Sequence, residues 1–312
     1  MRKNSGFKIL SRLIGLVKPL FGMMLLAILT GSLGHLCAIF IPVTGAAALL
    51  DALGTGSPLT MRRAFLALAL LSVCRGVLGY IEQNCNHYIA FKILALIRDK
   101  VFRALRRLCP AKLEGKERGN LIVLLTADIE LLEVFYAHTV SPAAIAALVS
   151  LIMTGLMAGF HPVYGVTAGL AYFTVGAVIP LCTSGVGKET GALQRRQLGA
   201  LSSYYLDSLR GLADILQMDQ GRVRLEGIGQ RTELLEKSQY KLSRYSAGIG
   251  ALSAGMVLLF PAAVLTEGFI LYGKGTIEFS GVLLPFLSML SSFGPVLALA
   301  SLTNNMFRLL AA

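Results

Sequence analysis

Between Val134 and Gly187 the chain runs for 54 residues without a lysine, arginine, aspartate or glutamate. As a single helix that stretch would be about 81 Å long, whereas a bilayer hydrocarbon core is about 30 Å thick. The run must therefore fold back on itself. Its only obvious break is Phe160-His161-Pro162, which predicts a hairpin tip with almost no loop. Composition points the same way. Hydrophobic residues make up 55% and charged residues 15% of the 312 residues, and the mean hydropathy is +0.68. A soluble domain carries about 25% charged residues, and so high an apolar content excludes disorder.

Further charge-poor runs complete an all-α membrane protein. Pro19 to Leu50 and Phe279 to Phe307 carry no formal charge, Tyr245–Thr266 carries none, and residues 64–91 carry only Arg75 and Glu82. Six spans are expected, near 20–48, 64–90, 135–160, 163–187, 245–267 and 279–307. The basic residues give their sidedness: 25 of 29 lie before the first span, in 92–133, in 188–244 or at Arg308. By the positive-inside rule both termini are then cytoplasmic in a multi-pass cell-membrane protein. The net charge of +12 is accounted for by topology, and no nucleic-acid partner is expected, because no basic stripe interleaves with exposed aromatics.

Residues 1–18 read as an interfacial elbow helix, with Phe7, Leu10, Leu13, Ile14 and Val17 on one face. The following apolar stretch is too long for a signal-peptide h-region. The two extensions between spans also read as helices, since Ile97, Val101, Leu105 and Leu108, and then Leu201, Tyr205, Leu209 and Leu212, recur at helical spacing. Breaks are expected from Cys109-Pro110 to Gly119 and around Leu209-Arg210-Gly211.

Few ionisable groups remain in the bilayer, where each is a functional candidate. Arg75 lies near the middle of the second span, and Glu82 follows seven residues later on the same face, with Gly79 and Asn86 on that stripe. Their axial separation of about 10 Å is too great for a close ion pair within one helix. Two readings stay open: a polar wall of a substrate cavity, or an interhelical structural network. His35 sits beside Gly31 and Gly34, which permit close helix approach. It is a candidate pathway residue or a packing histidine. His87 approaches the interface among Asn84, Asn86 and Tyr88, and Asn304 and Asn305 lie late in the last span. Cys37, Cys74, Cys85, Cys109 and Cys182 contain no Cys-x-x-Cys, and no histidine pair has metal spacing, so neither disulfide nor metal site is expected.

This layout resembles the transmembrane half of a type IV ABC exporter. Arg98-Asp99-Lys100-Val101-Phe102-Arg103-Ala104-Leu105, Gly119-Asn120-Leu121, Thr126-Ala127-Asp128-Ile129 and Ser141-Pro142 follow that family's order and spacing. The resemblance implies a six-helix membrane domain over 19–312, domain-swapped in a homo- or heterodimer with a second transmembrane half. ATP and Mg²⁺ would be handled by a nucleotide-binding domain, fused or separate, and absent from this chain. The nearest string to a phosphate loop, Gly185-Val186-Gly187-Lys188-Glu189, has Glu where the metal-binding hydroxyl belongs. The chain alone is therefore not expected to be an enzyme. It reads as the membrane domain of a longer protein, or as a natural half with a separate ATPase. Coupling to the ATPase is implied at Lys112, Leu113 and Glu114, and at Tyr204, Tyr205 and Leu209.

A narrower likeness lies on the second span. Arg75, Tyr80-Ile81-Glu82, His87, Phe91, Leu94 and Leu96-Ile97-Arg98 look like CydC-type subunits of cysteine/glutathione exporters, with Gly79 and Asn86 as departures. The likeness implies a small thiol or amino-acid-like solute, a pathway including His35, Arg75, Glu82, Asn86, His87 and Asn305, and haem at His87. Alternatives on the same fold are a peptide, lipid or siderophore substrate, or a haem-binding assembly or regulatory factor.

Overall fold

The computed structural model describes residues 20–55, 59–108 and 140–299. The expected elbow helix at 1–18, the region of Lys112, Leu113 and Glu114, and Asn305 lie outside them. Among the described residues there is no strand. The helices are α1 (Phe21–Ala52), α2 (Met61–Leu108), α3 (Ser141–Phe160), α4 (Pro162–Phe173), α5 (Ile179–Arg210), α6 (Leu212–Gln217), α7 (Gly221–Gly273) and α8 (Ser280–Ser291). A π-turn, Thr174–Val178, joins α4 to α5. Six helical stretches are long and apolar enough to cross a membrane: α1, α2, α3, the run Pro162–Thr183, α7, and the run Ser280–Leu299.

Prolines punctuate these helices for a definite reason, since proline cannot donate the hydrogen bond to the fourth residue before it. Pro180 lacks the donor for Gly176, and the helical ladder widens into the π-turn just ahead of it. The last span is the clearest departure from expectation. A single helix over 279–307 is predicted, but α8 ends at Ser291 and helix resumes only at residues 294–299. Gly294-Pro295 follows the break, and the Ser292 hydroxyl bonds back to the Met289 carbonyl at 2.8 Å. The hairpin between α3 and α4 is as tight as proline allows: α3 stops at Phe160, His161 is extended, and α4 starts at Pro162.

Cα packing divides the chain into two compact units. Of the described residues, one comprises those up to Tyr172 together with those from Val257 onward, and the other comprises Phe173–Met256. The first unit is built on α1, which packs against α2, α3 and α8. Small residues make that possible, as Ala27, Gly31, Ser32, Gly34, Ala46, Ala47 and Ala48 are all buried on α1. Val43, Ala46, Ala47 and Leu50 form a cluster with Leu284 of α8, and the Ser291 hydroxyl reaches the Ile39 carbonyl at 3.2 Å. At the other end of α1, the Asp51 carboxylate accepts the Met61 backbone N–H at 2.7 Å and so caps α2.

In the second unit α5 and α7 carry the long polar extensions. Tyr204 of α5 lies under Gly227 of α7, where an added Cβ would stand 2.9 Å from the tyrosine Cζ. The Arg231 guanidinium sits 3.7 Å from the ring centroid and Arg224 4.9 Å away. Nearer the apolar windows, the Tyr245 hydroxyl donates to the Thr183 carbonyl. Two tyrosine contacts thus fasten α5 to α7.

The α3–α4 hairpin depends on one missing side chain. A Cβ at Gly165 would stand 2.9 Å from the Ala158 Cα, which is backbone and cannot step aside, whereas a Cβ at Gly159 would meet nothing. Gly165→Ala is expected to destabilise by about 1–3 kcal/mol, the usual range for overpacking. Gly159→Ala is expected to leave stability unchanged or raise it slightly. Thermal unfolding of detergent-purified variants checks both.

Candidate functional site

Two glycines of α1 lie against Arg75 and Glu82, the two charges in the apolar part of α2. A Cβ on Gly31 would stand 2.9 Å from Cδ and 3.1 Å from Oε2 of Glu82. One on Gly34 would stand 3.3 Å from Nη1 of Arg75 and 3.4 Å from the Leu78 Cβ. The three-residue step on α1 is answered by the seven-residue step on α2, so both polar side chains fold across the first helix's bare backbone. Arg75 and Glu82 are half-buried, as is His35, the residue after Gly34. No hydrogen bond or ion pair joins Arg75 to Glu82 among the described residues, in keeping with their separation along the helix. The arrangement is a small polar recess, with a cation, an anion and an imidazole gathered where two helices touch.

Asn86 and His87 stand one turn further on. Asn86 is buried, and its Oδ1 accepts no hydrogen bond among the described residues. His87 Nε2 lies 2.9 Å from the Gln83 side-chain nitrogen, and its ring stacks on Phe91 with centroids 6.0 Å apart. A haem iron needs a ring nitrogen presented to an open apolar slot. Here Nε2 is engaged by Gln83 and Nδ1 is buried. As placed, His87 does not fit that role.

A second polar cluster, with no counterpart among the sequence-predicted site residues, joins α4, α7 and α8. The Thr167 hydroxyl donates to Glu267 Oε1 at 2.7 Å, joining α4 to α7. Tyr164 donates to the Gly281 carbonyl of α8 at 3.1 Å, and its Oη occupies the space that a Cβ on Gly268 would need. Deeper along α4, Tyr172 and Ser292 share a 2.5 Å hydrogen bond, with Phe293 tilted against the tyrosine ring. Glu267 Oε2 is buried and accepts nothing among the described residues. The signal was present in the sequence: Glu267 ends a charge-free run whose neighbours Phe269 and Ile270 are apolar and exposed. Its partners were not, because Thr167 is an ordinary residue one hundred positions away.

Of the residues implied to couple to an ATPase, Tyr204 is held by Arg224, Arg231 and Gly227, while Tyr205 and Leu209 are exposed on α5. Beyond the break at Gly211 the short helix α6 follows, closed by Asp219 with φ 51°. Leu212, Leu216 and Met218 extend the exposed apolar surface there, the last two 68% and 70% exposed. A residue-period reading finds α6 hard to see, because six residues hold fewer than two turns.

Thr167→Val removes the one hydrogen-bond partner that the half-buried Glu267 carboxylate has among the described residues. A loss of about 1–3 kcal/mol is expected, and adding Glu267→Leu should restore part of it. A double-mutant cycle on thermal stability reads this directly, and strict additivity would show that the contact carries no energy.

Comparison with known proteins agrees with these features. Residues 24–296 match the family model described as the ABC transporter transmembrane region. The chain is 40% identical over all 312 residues to a probable ABC transporter ATP-binding/permease protein of Haemophilus influenzae, covering 56% of that protein. It is 26% identical over 199 residues to the glutathione/L-cysteine transport system ATP-binding/permease protein CydD of Escherichia coli, with 63% of this chain and 32% of that protein aligned. The corresponding CydC protein of Escherichia coli is 25% identical over 184 residues, 58% of this chain and 32% of its own length. The chain thus spans from about a third to just over half of these relatives. With six apolar helices, two long helical extensions and this match over most of its length, the chain belongs to the ABC transporter transmembrane-domain family.

Proposed function

We propose that this chain is the permease domain of an ATP-driven exporter that moves a small thiol or amino-acid-like solute by alternating access. The observation that carries this reading is the recess at Gly31 and Gly34, where Arg75, Glu82 and His35 gather at the contact of two spanning helices. An amino acid or short thiol peptide has both a carboxylate and an ammonium group. Arg75 suits the first, Glu82 the second, and a charge-assisted hydrogen bond at either is worth about 1.5–3 kcal/mol. The relatives named for glutathione and cysteine transport support the same substrate class.

In this reading both termini and both helical extensions are cytoplasmic, as the distribution of basic residues implies. Exposed Tyr205, Leu209, Leu212, Leu216 and Met218 form the surface that a nucleotide-binding domain covers. ATP and Mg²⁺ act in that domain, and its closure would be transmitted along α5 and α7, which the Tyr204 and Tyr245 contacts oblige to move together. A second transmembrane half covers part of α2, whose most apolar window is only 6% buried in this chain. The remaining lipid-facing surface needs no further partner.

The test is substrate-stimulated ATP hydrolysis by the protein together with its nucleotide-binding domain. A panel of thiols and amino acids should raise the rate. Arg75→Ala should raise the half-stimulating concentration about tenfold or more for carboxylate-bearing solutes, as loss of one charge-assisted bond implies. Stimulation confined to peptides, lipids or siderophores would overturn the substrate class. Leu216→Glu on α6 should lower coupled hydrolysis and export together while leaving binding of the solute intact, measured by scintillation proximity.

A further inference from the structure

A groove between α5 and α7 collects basic side chains just beyond the end of the apolar windows. On α5, Glu189, Ala192, Leu193 and Arg196 recur at helical spacing. On α7, Lys237, Tyr240, Lys241 and Arg244 do the same. Lys241 joins the α5 stripe in lining a recess of about 430 Å³ between the two helices, and it also opens onto an adjoining recess of about 410 Å³ lined by the α7 stripe alone. The groove is a built feature of the fold, because the Tyr245–Thr183 contact closes one end and the Tyr204–Gly227–Arg231 contact the other.

Its charges are not used internally. Lys237 is held by Glu233 at 2.6 Å, but Arg196, Lys241 and Arg244 make no ion pair among the described residues. Glu189 is the single carboxylate on the lining, so three cations against one anion leave the groove positive. Its depth is fixed by neighbouring residues. The apolar window of the fourth span ends at Thr183, and the charge-free run of the fifth begins at Tyr245. Lys241 is four residues from Tyr245, about 6 Å along the helix, which is where lipid headgroups lie. Tyr240 is 63% exposed and Leu193 46% exposed beside the cations. An amphipathic aromatic and an apolar side chain next to clustered Lys and Arg match a lipid: phosphate on one side, glycerol and acyl carbons on the other.

We infer that this groove binds the headgroup of an anionic phospholipid from the leaflet on the extension side, with Arg196, Lys241 and Arg244 on the phosphate and Tyr240 and Leu193 against the glycerol. Because α5 leads into the coupling surface and is fastened to α7 by Tyr204 and Tyr245, a lipid seated between them would bias the spacing of those two helices. The site lies apart from the Arg75 recess, and its test does not depend on which solute is moved.

Native mass spectrometry of the detergent-purified protein, with added phosphatidylglycerol or phosphatidylcholine of identical acyl chains, decides the matter. Phosphatidylglycerol should be retained in preference to phosphatidylcholine. Lys241→Ala with Arg244→Ala should lower that retention about tenfold, and Lys241→Arg should keep it. Arg222→Ala, which removes a charge beside Glu226 far along α7, should change nothing. Equal retention of the two lipids, or an equal loss on Arg222→Ala, overturns the inference. So does release of the bound lipid by millimolar inorganic phosphate, which would mark a site for free anions. If the alanine pair fails to fold, Lys241→Gln alone, checked for a single monodisperse species, takes its place with the same expected direction.

Discussion

Hydrocarbon offers the peptide backbone no hydrogen-bond partner, and each unsatisfied N–H or C=O there costs several kcal/mol. That constraint makes every span in this chain a helix, and it also explains where the helices depart from regularity. The π-turn stands just ahead of Pro180. The break in the last span lies where Gly294-Pro295 withdraws a donor, and the Ser292 hydroxyl serves the Met289 carbonyl beside it. Ser291 likewise lends its hydroxyl to the Ile39 carbonyl, next to the residue that Pro42 leaves without its helical donor. The Tyr164 hydroxyl serves the Gly281 carbonyl, which Pro285 leaves without its helical donor.

Lipid also removes the ordinary reason for helices to associate, since acyl chains are as apolar as leucine. Association then falls to close backbone approach and to polar contacts, and here the two coincide. Gly31 and Gly34 let α2 come near, and the space they leave is filled by Ile145 and Glu82 at the first and by Arg75 and Leu78 at the second. Gly268 admits the Tyr164 hydroxyl in the same manner, beside the Thr167–Glu267 bond. A consequence is that the residues packing these two helices are the same ones proposed to meet the solute. A charge buried for contact with a neighbouring helix is also a charge within reach of whatever enters between them.

The extensions obey different rules because water surrounds them. Their ion pairs, Asp99–Arg103, Arg222–Glu226 and Glu233–Lys237, are exposed and four residues apart, worth a few tenths of a kcal/mol each. Cohesion there comes instead from Tyr204, clasped between Arg224 and Arg231. The neighbouring tyrosines are thereby divided: Tyr204 fastens α5 to α7, and Tyr205 faces outward with Leu209. Adjacent residues on a helix point about 100° apart, so one of the pair is turned to the partner helix and the other away from it.

Much of this was legible in the residues alone. Charge-free runs longer than a bilayer is thick fixed the number of crossings. His161-Pro162 fixed the hairpin, and the seven-residue spacing put Arg75 and Glu82 on one face of α2 while keeping them from pairing. Each of these is a local property, set by helical rise and by the absence of charge over twenty residues. What only the tertiary structure decided is which bare glycine each charge lies against, that Glu267 meets Thr167 one hundred residues away, that the last span breaks at Ser292, and that Lys241 lines one groove with Arg196. The physical reason is the same throughout: contacts between helices are fixed by side-chain volume and by unpaired hydrogen-bonding groups, and periodicity along one helix carries no record of which neighbour will fill its gaps.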